Sequence, residues 1–223
     1  MKPITEIAEN LGLDPKEIVP YVHYKAKIPL SARKDGGKRG KLVGVTGITP
    51  TPAGEGKTTT TVGLAQGFGK LNKNVLATLR EPSLGPIFGV KGGGTGGGVS
   101  LVEPQDEVNI HFTGDAHAVG SAHNLLAALT DNVAERNQIA GFIPSGITWR
   151  RVTDMEHRSL RTIISGIGGS LNGPVRETGF DIVTASEIMA ILALASDLEN
   201  LRDRLSKIVV GFTIDGSPVT ASD

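Results

Sequence analysis

The octapeptide Thr51-Pro52-Ala53-Gly54-Glu55-Gly56-Lys57-Thr58 holds the residue types that a nucleotide's phosphates require, in a workable order. An ammonium at Lys57 can reach the β- and γ-phosphates of ATP, and the hydroxyl of Thr58 is placed to ligand a magnesium ion. Gly54 and Gly56 let the backbone approach the phosphates with no Cβ in the way. The common form of such a loop begins with glycine; Thr51 stands there instead, so the first turn differs. Read without a ligand, the same residues make a tight strand-to-helix turn with a capping threonine.

The flanking elements decide between these readings. Lys41 to Thr49 is a short apolar run bounded by Pro50 and Pro52, the pattern of a buried strand. Thr58 to Leu71 carries Val62, Leu64, Ala65 and Phe68 and predicts a helix. A loop between such a strand and a helix aims several backbone N–H groups at one spot, where the helix dipole adds partial positive charge. A second strand, Asn74 to Leu79, runs into Arg80-Glu81-Pro82. Strand, helix and strand within about forty residues make a βαβ unit and predict an α/β fold, a parallel sheet with helices on both faces. Ligands on such sheets bind at the carboxyl ends of the strands, which puts Arg80 and Glu81 on the edge of the phosphate loop. Val108 to Phe112 reads as a third strand, leading through Thr113-Gly114 to Asp115 at its carboxyl end and then to a helix through Leu125, Leu126 and Leu129.

Residues 1–40 read as an N-terminal helical arm and linker, and residues 41–223 as the nucleotide-binding domain. In the arm, Ile4 to Leu11 predicts a short helix, and Asp14-Pro15 a cap and first position of another. Ser31 to Gly40 is basic and glycine-bearing, the composition of a solvated linker more than of a phosphate patch. The glycines of Gly85 to Gly98 suit either a flap over a ligand or a disordered surface loop. Helices are expected over Met155 to Ile164, Ala185 to Ala195 and Leu198 to Leu205, a strand over Ile208 to Phe212, and a turn or hairpin at Asn172-Gly173-Pro174. His111, His117 and His123 recur six residues apart, a spacing that favours hydrogen bonding or substrate contact over a shared metal. Thr220 to Asp223 resembles a helix-capping box with no helix after it, as in a fragment or a frayed terminus.

Composition narrows the function classes. Lys plus Arg and Asp plus Glu both number 23, so the formal charge is zero and no basic surface suggests nucleic acid or membrane. The absence of cysteine excludes disulfides, thiolate metal sites and a cysteine nucleophile. Neither a signal-peptide core nor a membrane span is expected, so the chain reads as cytoplasmic, with small-molecule partners.

Four ordered segments carry a resemblance to a family: Thr49 to Thr60, Arg80-Glu81-Pro82-Ser83-Leu84-Gly85-Pro86, His111-Phe112-Thr113-Gly114-Asp115, and Phe180 to Ala190. Together they resemble the formate–tetrahydrofolate ligases, or formyltetrahydrofolate synthetases, along essentially the whole chain. The family's members are well over twice as long, so the resemblance implies their N-terminal, P-loop NTPase-like nucleotide-binding portion, without most of the surface that binds the pterin. It implies ligation of formate to tetrahydrofolate at the expense of ATP, giving 10-formyltetrahydrofolate, ADP and phosphate through formyl phosphate. By the same resemblance, Lys57 and magnesium spread the phosphate charge, and Arg80 grips formate and then the acyl phosphate. Glu81 orients the folate amine or a monovalent cation, and Asp115 serves the phosphate and metal site. It further implies a homo-oligomer, the family tetramer, or a missing C-terminal chain. Two other readings share the loop: a different phosphate-loop enzyme that needs no formate, and a truncated ATP- and formate-binding subunit without complete ligase activity.

Overall fold

A computed structural model of the chain describes residues 1–32, 40–88 and 93–223. The chain divides into two compact units, Met1–Asp115 and Ala116–Asp223. It is a mixed α/β structure whose strands pair two by two.

In the first unit, α1 (Ile4–Asn10) starts after Pro3 with Glu6 in its first turn, where the dipole favours an acid, and buries Ala8. An antiparallel hairpin follows, β1 (Val19–Tyr21) and β2 (Lys25–Lys27), in the register Pro20↔Ala26. The phosphate-loop segment opens α2 (Lys57–Lys70), as the apolar spacing predicts, and Val62 is its buried contact. One helical turn, α3 (Leu84–Ile87), precedes the small hairpin of β3 (Gly96–Gly97) and β4 (Ser100–Leu101). That hairpin lies against α2: a Cβ added at Gly97 would stand 3.3 Å from the Thr59 side chain, and Gln66 Nε2 donates to the Leu101 carbonyl at 3.2 Å. A last helix, α4 (Gln105–Asn109), ends before the turn at His111.

The second unit is built around α5 (Asp115–Glu135), whose first residue marks the division between the units. Val119, His123, Ala127, Thr130 and Ala134 are buried along one helical stripe. Facing them are Phe142, Trp149, Val152 of β5 (Arg151–Thr153), Val183 and residues of the last four elements. The hairpin of β6 (Ile163–Ser165) and β7 (Arg176–Thr178) turns through Asn172-Gly173-Pro174 as expected. β8 (Phe180–Ile182) pairs with β5 in parallel. Ser186 caps α6 (Glu187–Leu194), Asp197 caps α7 (Leu198–Ser206), and β9 (Val209–Phe212) pairs antiparallel with β10 (Pro218–Thr220). No helix among the described residues is long and apolar enough to cross a membrane.

Several sequence expectations are corrected. Residues 108–112 are not a strand: Gln105-Asp106-Glu107 follows the extended Pro104 and supplies the acidic first turn of α4. Met155 to Ile164 is not a helix. His157 accepts from the Ser159 N–H and starts a single 3₁₀ turn, after which β-branched Thr162, Ile163 and Ile164 pass into β6. At Asp14 a turn forms instead of a helix, with the carboxylate accepting from the Lys16 N–H at 2.9 Å and Pro20 soon after in β1. Residues 41–49 and 74–79 run without ladder partners, with Leu42 95 % and Ile48 102 % exposed. An apolar run becomes a strand only when another strand takes its N–H and C=O groups, and no such strand lies beside these among the described residues. Most of the linker at 31–40 and the middle of the glycine stretch, 89–92, lie outside the described residues.

Candidate functional site

The candidate phosphate loop, residues 51–58, is shaped by two left-handed glycines. Gly54 has φ of 84° and Gly56, at the N-cap of α2, φ of 70°. A side chain at either would be strained. No side chain caps α2, so the N–H groups of its first turn face outward, as an anion site requires. Thr58 is half-buried in that turn. Glu55 bridges the loop: its carboxylate accepts from the Thr51 N–H and pairs with the Lys57 ammonium. The Lys57 hydrogen bond, and after it the one from Thr51, hold the Glu55 carboxyl down at about 2. Glu55 therefore takes, within the chain, two donors of the kind a phosphate would use. The residues fit a triphosphate with its magnesium: uncapped backbone donors, one lysine, and a hard hydroxyl oxygen at Thr58.

A second cluster surrounds Asp115. Thr113 O–H donates to Asp115 Oδ2, and Lys27 Nζ to Oδ1 at 3.0 Å. Burial acts most strongly on this carboxyl and pushes it up, but the Thr113 and Lys27 hydrogen bonds together outweigh burial and leave it below the usual aspartate range. The Asp115 hydrogen bond in turn raises Lys27. The clusters at Glu55 and at Asp115 share no residue.

Arg80 is exposed and Glu81 half-buried at the end of the 74–79 run, just before the buried Ser83 that precedes α3. The part of the glycine stretch that is described, residues 93–98, is tied to the protein: Asn109 accepts from the Gly94 N–H at 2.9 Å and donates to Thr95 at 3.3 Å. A Cβ at Gly94 would come within 2.4 Å of Pro82, so glycine is required next to the Arg80-Glu81-Pro82 segment.

Sequence reasoning missed Lys25 and Lys27. The signal was present: alternate residues of a strand share a face, so Lys25-Ala26-Lys27 projects two ammonium groups the same way. It also gave no role to the cavity of about 310 Å³ in the second unit, where Asp131 accepts from Arg151 at 2.8 Å and from Arg176. With Glu135 the charges there cancel, and the cavity contains none of the predicted site residues.

A family model described as formate–tetrahydrofolate ligase matches residues 1–223. Among curated relatives, formate–tetrahydrofolate ligase 2 of Lactobacillus acidophilus is 53 % identical over 220 residues, which is 99 % of this chain and 40 % of that protein. The formate–tetrahydrofolate ligase of Desulforamulus reducens is 53 % identical over 225 residues, covering all of this chain and 40 % of the relative, and that of Syntrophus aciditrophicus matches to the same extent. The chain thus spans about two-fifths of the length of these relatives.

Proposed function

The chain belongs to the formate–tetrahydrofolate ligase family, and from that premise we propose that it carries the ATP- and formate-activating part of a ligase that makes 10-formyltetrahydrofolate. The observation that supports this most directly is the uncapped start of α2, where left-handed Gly56 leads into Lys57 and Thr58 inside a chain matched end to end by the family.

Formate acylates poorly because its leaving group would be hydroxide. Transfer of the γ-phosphoryl group to a formate oxygen forms a P–O bond, breaks the bond to the bridging oxygen of ADP, and gives formyl phosphate with a good leaving group. The folate amine then attacks the formyl carbon; phosphate departs with the bonding electrons and the amine loses a proton. The first step needs alignment and charge neutralisation more than acid–base work. In this reading Glu55 swings away, and the Lys57 ammonium and the N–H groups of residues 51–58 take the phosphates in its place. Arg80 holds formate and then the acyl phosphate in a two-pronged grip. Glu81 orients the folate amine or a monovalent cation, and Asp115 serves the phosphate and metal end. Magnesium, held in part by Thr58, supplies charge neutralisation when bound.

We further read residues 41–49 and 74–79 as strands of a P-loop-type parallel sheet completed by polypeptide of the kind that makes up the rest of the relatives. That portion would also supply most of the pterin surface and the contacts of an oligomer. The test is ADP release by the purified chain with magnesium-ATP, with and without formate and tetrahydrofolate, alongside a direct assay of formyltetrahydrofolate. Product identifies a complete ligase. Formate-stimulated ADP release without product identifies an activating half-enzyme. No response to formate overturns the reading.

A further inference from the structure

The turn between α4 and α5 holds two consecutive non-glycine residues in the left-handed region, His111 at φ of 64° and Phe112 at 35°, followed by Gly114 at 83°. Such backbone persists only where its surroundings over-determine it. Two of the restraints come from one strand far away in sequence. Lys25 Nζ donates to the Phe112 carbonyl at 2.9 Å and pairs with Glu107 of α4 at 3.2 Å, with only 11 % of its side chain exposed. Two residues on, from the same face of β2, Lys27 Nζ donates to Asp115 at 3.0 Å. Lys27 also lies 5.5 Å from the centre of the Tyr21 ring on β1, the strand paired with its own.

We propose that the β1–β2 hairpin is the positioning arm of the His111–Asp115 turn, with Lys25 fixing its backbone and Lys27 fixing the Asp115 carboxylate. The assignment rests on the ligase reading for the role of Asp115. A cheaper turn would use glycine at 111 and 112; here the strained residues are kept and are held by two charge-assisted hydrogen bonds, which are about twice as strong as neutral ones. Thr113 takes the other carboxylate oxygen, so Asp115 is gripped on both oxygens and has little freedom to lose when substrate arrives. Lys25 and Lys27 act through the turn and are positioning residues, not catalytic ones.

The test compares Lys27→Met, Lys27→Arg and Lys25→Met with the unaltered chain by two readouts: formate-stimulated ADP release, resolved into kcat and KM, and amide hydrogen exchange over residues 110–116. Because the Lys25 side chain is largely covered, thermal melts check that each variant folds. Lys27→Met is expected to lower kcat roughly tenfold, because misplacing a reacting group is costly, with KM for ATP unchanged. Lys27→Arg should recover most of that loss, and Lys25→Met should speed exchange at 111–114 several-fold. Unaltered exchange in both methionine variants overturns the proposal. So does an equal loss in both Lys27 variants accompanied by a matching fall in ATP affinity. An unaltered chain that ignores formate sinks the ligase reading alone, and the exchange data still decide the positioning role.

Discussion

The two units bury apolar side chains to different extents. In Ala116–Asp223, twelve buried residues from α5, β5, α6, β9, β10 and the intervening segments form one cluster, with Phe142 wholly inaccessible at its centre. In Met1–Asp115 the buried apolar residues among those described are Ala8, Ile18, Ala32, Val62 and Pro104, scattered over α1, the segment before β1, the turn after β2, α2 and the start of α4. The first unit nevertheless carries the candidate site residues of the 51–58 loop, Arg80, Glu81 and Asp115, and it exposes Leu42, Val43, Ile48, Val75 and Leu76. Packing and the candidate site are thus divided: one unit buries a single apolar cluster, while in the other the candidate residues are held by polar contacts, Glu55 on Lys57 and Lys27 on Asp115.

The largest expected effect is on the packed side. Phe142→Ala leaves a cavity in a site with no exposure and should cost about 3–5 kcal/mol. Trp149, the only tryptophan, sits in that core and reports the second unit in urea unfolding. The division predicts a large fall in the Trp149 midpoint with magnesium-ATP affinity unchanged while the unit remains folded; a parallel loss of nucleotide binding would break it. On the other side, Lys57→Met should cut formate-stimulated ADP release by roughly 10²–10³-fold, the scale of losing one charge-stabilising donor. The Trp149 midpoint should stay where it was, since the Lys57 side chain is 45 % exposed and belongs to no core.

A smaller effect separates the units by pH. His123 is buried on α5, stacked on Trp149 at 4.1 Å, with Nδ1 facing the Ser186 hydroxyl at 2.9 Å and Nε2 the Arg150 carbonyl at 2.8 Å. A carbonyl can only accept, so Nε2 carries the proton and Nδ1 accepts from Ser186. Desolvation lowers the pKa of this imidazole, against the Arg150 carbonyl and the Asp181 charge, which raise it. The folded state then resists a proton that the unfolded chain, with an ordinary histidine near 6.5, accepts. Stability from this group is complete above the unfolded value and declines as pH falls through it toward the folded one. The Trp149 urea midpoint should therefore drop between pH 7.5 and 5.5, and His123→Gln should flatten that dependence. An unchanged midpoint over this range would mean that the imidazole titrates as freely as in the unfolded chain.

The same division governs what the sequence made legible. α2, α5, α6 and α7 were readable because their apolar residues recur within a few positions of one another, and the structure adds the side-chain caps Ser186 and Asp197 on α6 and α7. β9 was readable because its short apolar run finds a pairing strand, β10, within its own unit. Residues 41–49 and 74–79 have the composition of central strands, but composition specifies a strand's burial and not its neighbours. The segment 108–112 was misread because Val108, Ile110 and Phe112 alternate with polar Asn109 and His111 as in a half-buried strand, and only Pro104 with its acidic successors marks the helix that ends there. In the site, the glycines and Lys57 could be placed from spacing, whereas the Lys27–Asp115 contact joins residues 88 apart in sequence, and no local pattern encodes it.

The smallest expected effect is the sharpest statement of the comparison. Leu76 is 70 % exposed and lies in a run without ladder partners, so Leu76→Ser should change the chain's unfolding free energy by no more than about 0.5 kcal/mol, the range of ordinary surface substitutions. A strand completed by further polypeptide would bury that leucine, and the same change in a full-length relative should then cost about 2–5 kcal/mol, the scale seen for losing a core leucine. Parallel urea titrations of the two proteins, each with and without the serine, read the difference directly. Equal and small costs in both would mean that the run stays at the surface in the longer proteins too, and the parallel-sheet reading of residues 74–79 would fall. Equal and large costs would mean that this unit already packs Leu76 by itself, and the contrast between the two halves of the chain would fall instead.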